Sequence, residues 1–395
     1  MNNYQYHIYP SMKCSLACRH CFIDKEVLKQ KDTMTVEQFK TVADKYAEHF
    51  RKNDVDFGEI TIIGGEPTLI PSAFYHEVIP YLRKSFEDTG KPFMISIVTN
   101  MMHYKNLDKM SELFDLVVTS YEPARFTEEN MVSGIERKGE TWHSNLDEYV
   151  KTERPVSVSF STSGDVIEAG TELLDHFFDR GIRFLQINSI VPEGNILENE
   201  MGEDFYQEHL GKRTSEFAVP VKKRKRIALK APSIIPDYEL EADYFIKITE
   251  WMYDKIQQGH DVDVYPVKSF IHGVINDSEV DDISCCIDKG MNTRPDGKVT
   301  GCASEIGSKV MLSYGNIYED KVDDIQGSDI KRMHLSMAQR LDKECMTCEF
   351  IQSCMGSCML RSRFWDKAGK VNSCHGLKPY MRYIKDNKER LKTLL

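Results

Sequence analysis

A chain of 395 residues is long enough to bury a large core and to divide into roughly two or three domains. With 41% hydrophobic and 29% charged residues and no low-complexity stretch, its composition is that of an ordinary soluble globular protein, not a disordered or fibrous one. The balance of 51 basic against 62 acidic residues, net charge -11, argues against general attraction to a polyphosphate backbone, so nucleic acid is not an expected partner.

Met1 to Ile8 lack the basic-then-apolar pattern of a secretory signal, and no run of about 18 apolar residues occurs, so a cytoplasmic location without a membrane partner is expected. The eleven cysteines fall in two clumps separated by the gap from Cys21 to Cys285. A disulfide scaffold spreads its cysteines through a small secreted domain, whereas clumping in a large chain favours metal ligation.

In chain order, a first strand is expected over Tyr4 to Tyr9, followed by a loop carrying Cys14, Cys18 and Cys21 in the spacing C-x3-C-x2-C. Three thiolates hold three of the four irons of a 4Fe-4S cube and leave one iron open for a small chelating molecule. Zinc is the alternative, with His20 as a fourth ligand beside the Cys18/Cys21 pair. Thr35 and Gln38 form a capping box ahead of a helix whose Val36, Phe39, Ala43, Tyr46, Ala47 and Phe50 share one face. A second strand, Glu59 to Ile63, runs into Gly64-Gly65-Glu66-Pro67. Backbone bare of side chains lets a ligand approach closely, and the Glu66 carboxylate can accept from a bound ammonium group. Further apolar, β-branched strands are expected at Phe93 to Thr99, Leu116 to Thr119, Val156 to Phe160 and Phe184 to Ile190. Joined by right-handed crossovers, these units make an open, partial barrel of parallel strands, with both motifs at its C-terminal face. Thr99, Asn100, Ser120, Ser161 and Ser163 end later strands on that face and are candidate ligand contacts, or else turn starters and helix caps. From about 200 to 240 the pattern breaks down around the basic run Lys222 to Arg226, a solvated loop or a patch for an acidic partner. A helix is expected over Ala242 to Gln257, then a cysteine-rich stretch with a hairpin turn at Arg294 to Lys298.

Together the Cys14/Cys18/Cys21 loop and Gly64 to Pro67 resemble the radical S-adenosylmethionine (SAM) family. The resemblance implies a partial (β/α)6 TIM-like α/β barrel in which the open iron chelates the amino and carboxylate groups of SAM. The glycine-rich motif would meet the amino group, and His20 would lie near the adenine. Reductive cleavage of SAM then yields methionine and a 5′-deoxyadenosyl radical that abstracts hydrogen from a substrate.

Downstream, Cys286, Cys302, Cys345, Cys348, Cys354, Cys358 and Cys374, with Gly297 and Gly315-Asn-Ile317, resemble the SPASM domain, a small cysteine-rich α+β module that holds auxiliary clusters. By that resemblance Cys286, Cys302 and Cys358 hold one auxiliary cluster and Cys345, Cys348, Cys354 and Cys374 a second. Cys285 is either the missing fourth ligand or a spare thiol. The cofactors implied are therefore SAM and three 4Fe-4S clusters. Met346, Met355 and Met359 are expected to pack around the clusters as adaptable apolar filler. The expected divisions are the barrel over 1-205, a connecting segment over 206-283, the auxiliary-cluster domain over 284-376 and a C-terminal helix over 377-395.

SPASM members mostly modify peptides and proteins, so the expected activity is that of an oxidoreductase or maturase that installs a cross-link or oxidation in a ribosomal peptide. The expected electron donor is a low-potential carrier such as flavodoxin or ferredoxin. Sulfatase-maturing members carry an Asp after the cysteine matching Cys302; here Ala303 stands there, which argues against formylglycine formation. With Cys14 so early, a leader peptide is expected to bind on the barrel rim, on the 206 to 240 segment or on a separate leader-binding protein. A protein side-chain oxidase of the sulfatase-maturing type, an oxidoreductase on a small metabolite, and a multi-cluster electron carrier are the alternatives. No general base can be chosen; Tyr121, Glu122 and Asp288 lie near plausible pocket edges but are more often surface residues.

Overall fold

The computed structural model describes residues 3–16, 18, 20–123, 136–196, 235–280, 286–308, 311–338, 341, 344–361, 374 and 376–395. Cys285 and the basic run Lys222 to Arg226 lie outside the described residues. The strands and longer helices are, in chain order, β1 (Asn3–Ile8), α1 (Val36–Lys52), β2 (Phe57–Ile62), α2 (Ser72–Glu87), β3 (Phe93–Thr99), β4 (Leu116–Ser120), α3 (Glu136–Val150), β5 (Val156–Ser161), α4 (Gly164–Ala169), α5 (Glu172–Phe178), β6 (Phe184–Asn188), α6 (Tyr238–Gln257), β7 (Asp263–Tyr265), α7 (Val267–Ile275), β8 (Gly290–Thr293), β9 (Lys298–Thr300), β10 (Gly315–Asn316), α8 (Asp329–Ala338) and α9 (Lys378–Asp386).

Two compact units share the chain. The first comprises Met1–Ser120, Arg125–Ser157 and Cys286–Leu335, and the second Tyr121–Ala124, Val158–Cys285 and Ser336–Leu395, so the cysteine-rich stretch is divided between them. In the first unit the strand order is β10-β9-β8-β1-β2-β3-β4. The run from β8 to β4 is parallel, with Tyr6 opposite Ile60 and Met291, and Ile60 opposite Ile95. Helices α1 and α2 pack on each other, and their Tyr46, Phe50 and Phe86 rings meet Tyr6 of β1. The capping box forms as read: the Thr35 hydroxyl accepts the Gln38 N–H at 3.2 Å, and the Thr35 N–H donates to Gln38 Oε1 at 2.9 Å. Phe39, Ala43, Tyr46, Ala47 and Phe50 are buried on the inner face of α1, each large side chain contributing about 1.5–3 kcal/mol. Tyr46, fully buried, also ties β1 to β8, its hydroxyl lying 3.1 Å from His7 O, 3.0 Å from Met291 O and 2.6 Å from Thr293 Oγ1.

The expected hairpin forms between β8 and β9, where Gly297 turns at φ +83° and donates its N–H to Arg294 O at 2.9 Å. In the second unit β5, β6 and β7 are neighbours, with β6 and β7 parallel. Strand β6 stops at Asn188 where Ile190 was expected, because the Ile190 N–H turns aside to the Thr162 hydroxyl at 3.1 Å. Helix α6 starts four residues before Ala242, its first turn made favourable by Glu239 and Glu241 at the positive end of the helix. Among the described residues, no helix is long and apolar enough to cross a membrane.

Candidate active site

The three N-terminal cysteines sit on the loop that leaves β1 in the first unit, and all three are half-buried. Backbone amides point at their sulfurs: Leu16 N–H to Cys14 Sγ and Ile23 N–H to Cys21 Sγ, each at 3.4 Å. Such donors stabilise thiolate and raise the potential of any cluster it holds. Behind the loop Tyr9, Met12, Ile23, Val27 and Ile306 form a buried apolar cluster, with Cys21 packed against it. His20 is half-buried on the same loop.

The double glycine has a purpose that its sequence does not announce. A Cβ at Gly64 or Gly65 would come closer than 3.0 Å to the backbone of Ser11, or of Met12 and Lys13. The absent side chains thus admit the cysteine loop itself, beside their expected role as room for a ligand. Two hydrogen bonds seal the contact, Gly65 N–H to Ser11 O at 3.2 Å and Glu66 N–H to Lys13 O at 2.8 Å.

Glu66 is fully buried and already engaged by the protein. Its Oε1 accepts from the Thr68 N–H at 3.0 Å, from the Thr68 hydroxyl and from the Thr99 hydroxyl at 2.8 Å; Oε2 accepts from the Asn100 N–H at 2.6 Å. Two carboxylate oxygens offer about four lone-pair sites, so capacity for one more donor remains on Oε2. Asn100 then reaches onward, its Nδ2 donating to Cys14 Sγ at 3.8 Å. Gly64, Gly65, Glu66, Pro67, Thr99, Asn100 and Cys14 therefore form one contiguous rim over the ends of β1, β2 and β3. Thr68 and Asn106, which the sequence reading passed over, complete it: Asn106 Nδ2 holds Thr68 O at 2.9 Å and Ile70 O at 2.7 Å.

Ser120 ends β4, half-buried. In the second unit Ser161 ends β5, and Ser163, 2% exposed, turns its hydroxyl back onto Ser161 O at 3.4 Å. Tyr121 packs its ring on Phe177, Glu122 is 3% exposed, and Asp288 is a surface carboxylate 3.5 Å from Lys331 Nζ. Glu122 thus departs from the expectation of a surface residue.

Cys286 and Cys302 meet in the first unit, where their shared hydrogen bond, followed by burial, pushes the Cys302 thiol well above its ordinary range. A bound metal's charge would reverse that and release the proton. Tyr9, the first residue past β1, donates to Ala303 O at 3.3 Å and so joins the strand to this loop. In the second unit, burial pushes the Cys354 thiol up to about 12, with Cys374, Cys345 and Cys348 close enough to add to it. Gly376 lies so close to Cys354 Sγ that a Cβ there would force the sulfur to shift. Met346 and Met355 are exposed, at 70% and 46%, so of the three interleaved methionines Met359 alone is packed as expected.

Among the described residues no three His, Cys, Asp or Glu side chains converge tightly enough to hold a single metal ion. The fit to iron-sulfur clusters rests on the donor set: soft thiolates in groups, amide donors aimed at sulfur and a dry apolar backing.

No protein-family model matches the chain, and no curated protein matches it. Solved structures do. The chain is similar to native anSMEcpe with bound AdoMet, an anaerobic sulfatase-maturating enzyme, at 14% identity over 99% of this chain and 98% of that one, TM-score 0.71. The same enzyme with AdoMet and the Cp18Cys peptide matches at 15% identity, with the same coverage and TM-score 0.70. Streptococcus suis SuiB bound to its precursor peptide SuiA matches at 14% identity over 92% of this chain and 73% of that one, TM-score 0.57. At such identities the likeness is one of fold: the chain has the TIM-like fold of the SPASM-type radical SAM enzymes, a large parallel sheet with a cysteine-rich C-terminal region.

Proposed function

We propose that the chain is a radical SAM enzyme that takes a hydrogen atom from a peptide side chain and installs a cross-link or an oxidation. The carrying observation is the joint between the two motifs, where Gly65 and Glu66 grip the cysteine-loop backbone and Asn100 reaches the Cys14 sulfur. An electron carrier needs no such rim beside a three-cysteine loop. In this reading Cys14, Cys18 and Cys21 hold a cluster with an open iron, and the rim from Gly64 to Pro67 with Thr99 and Asn100 receives SAM, aided by His20, Ser120, Ser161 and Ser163. A cluster held there would, when bound and reduced, supply the electron for reductive cleavage of SAM. Glu66 holds the rim in place through Thr68, Thr99 and Asn100, while the apolar backing around Met12 and Ile306 excludes water.

Cys286, Cys302 and Cys358, with Cys285 as candidate fourth ligand, are assigned to the first auxiliary cluster. Cys345, Cys348, Cys354 and Cys374 are assigned to the second. Peptide as the substrate class is supported by the solved complexes of anSMEcpe with a peptide and of SuiB with SuiA. Ala303 has no ionisable group where the sulfatase-maturing members carry a carboxylate, which favours cross-linking or oxidation over formylglycine formation. An external low-potential donor of the flavodoxin or ferredoxin class would reduce the clusters. Anaerobic reconstitution followed by dithionite and SAM should release 5′-deoxyadenosine, and a peptide panel should yield a product lighter by two hydrogen atoms. A fully loaded protein that leaves SAM intact would overturn the proposal.

A further inference from the structure

Three buried polar residues of the second unit, Thr162, Glu241 and Arg361, take no part in the reading above. Thr162 follows β5, between Ser161 and Ser163. Its N–H donates to Asn188 O at 2.9 Å, and its hydroxyl accepts the Ile190 N–H at 3.1 Å while donating to Glu241 Oε1 at 2.6 Å. Glu241, 1% exposed, sits in the first turn of α6, where the helix end favours a negative charge. Its second oxygen pairs with the guanidinium of Arg361, 5% exposed and three residues beyond Cys358.

Buried ion pairs add little stability over apolar side chains of the same volume, and their best-attested use is to specify one arrangement. What this one specifies is visible at its ends. On the other side of Cys358, Met355, Gly356 and Ser357 all have positive φ, at 50°, 85° and 63°, a left-handed run that only a well-supported segment keeps. Cys358 is thus bracketed by that turn and by the Arg361 anchor.

We infer that Glu241 is a positioning residue: through Arg361 it fixes the segment bearing Cys358, and through Thr162 it fixes the strand ends bearing Ser161 and Ser163. One buried carboxylate then sets the register between an auxiliary-cluster ligand and two candidate SAM contacts. The inference rests on the ligand role proposed for Cys358.

The test compares the anaerobically reconstituted full chain with Glu241→Gln, Arg361→Gln, the E241Q/R361Q double and Thr162→Val. Iron and sulfide content, the electron paramagnetic resonance and midpoint potentials of the reduced clusters, and 5′-deoxyadenosine release are measured. Each single charge substitution should shift the spectrum or potential of one auxiliary cluster, or lose its iron, and, because the same network holds Ser161 and Ser163, should also slow 5′-deoxyadenosine release while the N-terminal cluster keeps its iron. The double should recover part of the shift, because two amides pair without stranding a buried charge. Thr162→Val keeps the ion pair and should move the same signal less. Auxiliary spectra unchanged in Thr162→Val and in either charge variant overturn the inference. So does loss of every cluster signal in Thr162→Val, which would assign the network to folding alone. A parent without auxiliary signals refutes the ligand reading itself and takes the inference with it, an outcome legible before any variant is made.

Discussion

Substituting Gly65 by Ala adds one methyl group where the two motifs meet. Its Cβ would lie closer than 3.0 Å to the backbone of both Met12 and Lys13, which cannot rotate aside as a side chain can. The turn and the cysteine loop would have to part by about 1 Å to regain an ordinary carbon contact of roughly 3.5 Å. That separation stretches the Gly65 N–H to Ser11 O and Glu66 N–H to Lys13 O bonds, now 3.2 and 2.8 Å, at about 1 kcal/mol each. Overpacking strain adds about 1–3 kcal/mol. The sum, about 3–5 kcal/mol, falls on the loop that carries Cys14. Because a misplacement of about 1 Å typically slows a reaction about 100-fold, 5′-deoxyadenosine formation under dithionite should fall by about that factor. Gly90→Ala is the control: Gly90 has φ +73° with nothing within 4 Å of a Cβ, so it should cost about 1 kcal/mol of stability and leave SAM cleavage intact. A parent rate in G65A, or an equal fall in G90A, would refute the reasoning.

Glu66→Gln replaces one carboxylate oxygen with a donor amid four incoming donors. At least one buried group is then left unmatched at about 1–3 kcal/mol, so a thermal melt should shift downward and the N-terminal cluster should lose iron; an unshifted melt would disprove this. Burial holds the His49 ring neutral in the folded state, its pKa lowered from 6.5 to about 4, and His7 is shifted the same way. The unfolded chain takes up protons near 6.5, so this stability is complete above that pH and drains as pH falls toward 4. At pH 5 His49 alone should account for about 2 kcal/mol, read as a lower urea midpoint than at pH 7; equal midpoints would rule it out. Gly376→Ala would drive a Cβ into Cys354 Sγ and should cost one auxiliary cluster's iron while sparing 5′-deoxyadenosine release. Full iron in that variant would contradict the grouping of Cys354 with Cys345, Cys348 and Cys374.

Local signals carried far. The capping box at Thr35, the hairpin at Gly297 and the parallel strands were all legible because each depends on residues a few positions apart. Gly64 and Gly65 were legible as a motif, but the backbone they also make room for was not, since it lies some fifty residues earlier in the chain. Tyr9 at the Cys302 loop was invisible for the same reason, its partner lying 294 residues away. Glu241 reads in sequence as one more acidic residue at a helix start; only its neighbours, 79 and 120 positions distant, reveal a buried charge.

The pairing of β1 with β8 places Gln5 opposite Gly290 and Ile8 opposite Thr293. During synthesis, one edge of the first strand must therefore wait, hydrogen-bonding groups unmet, until almost three hundred further residues have left the ribosome. An unmatched strand edge is a template for aggregation, and contacts so remote in sequence form slowly. Metal loading of the nearby cysteine loop is thus expected to follow completion of the polypeptide, and fragments ending before residue 286 should be recovered chiefly as insoluble material.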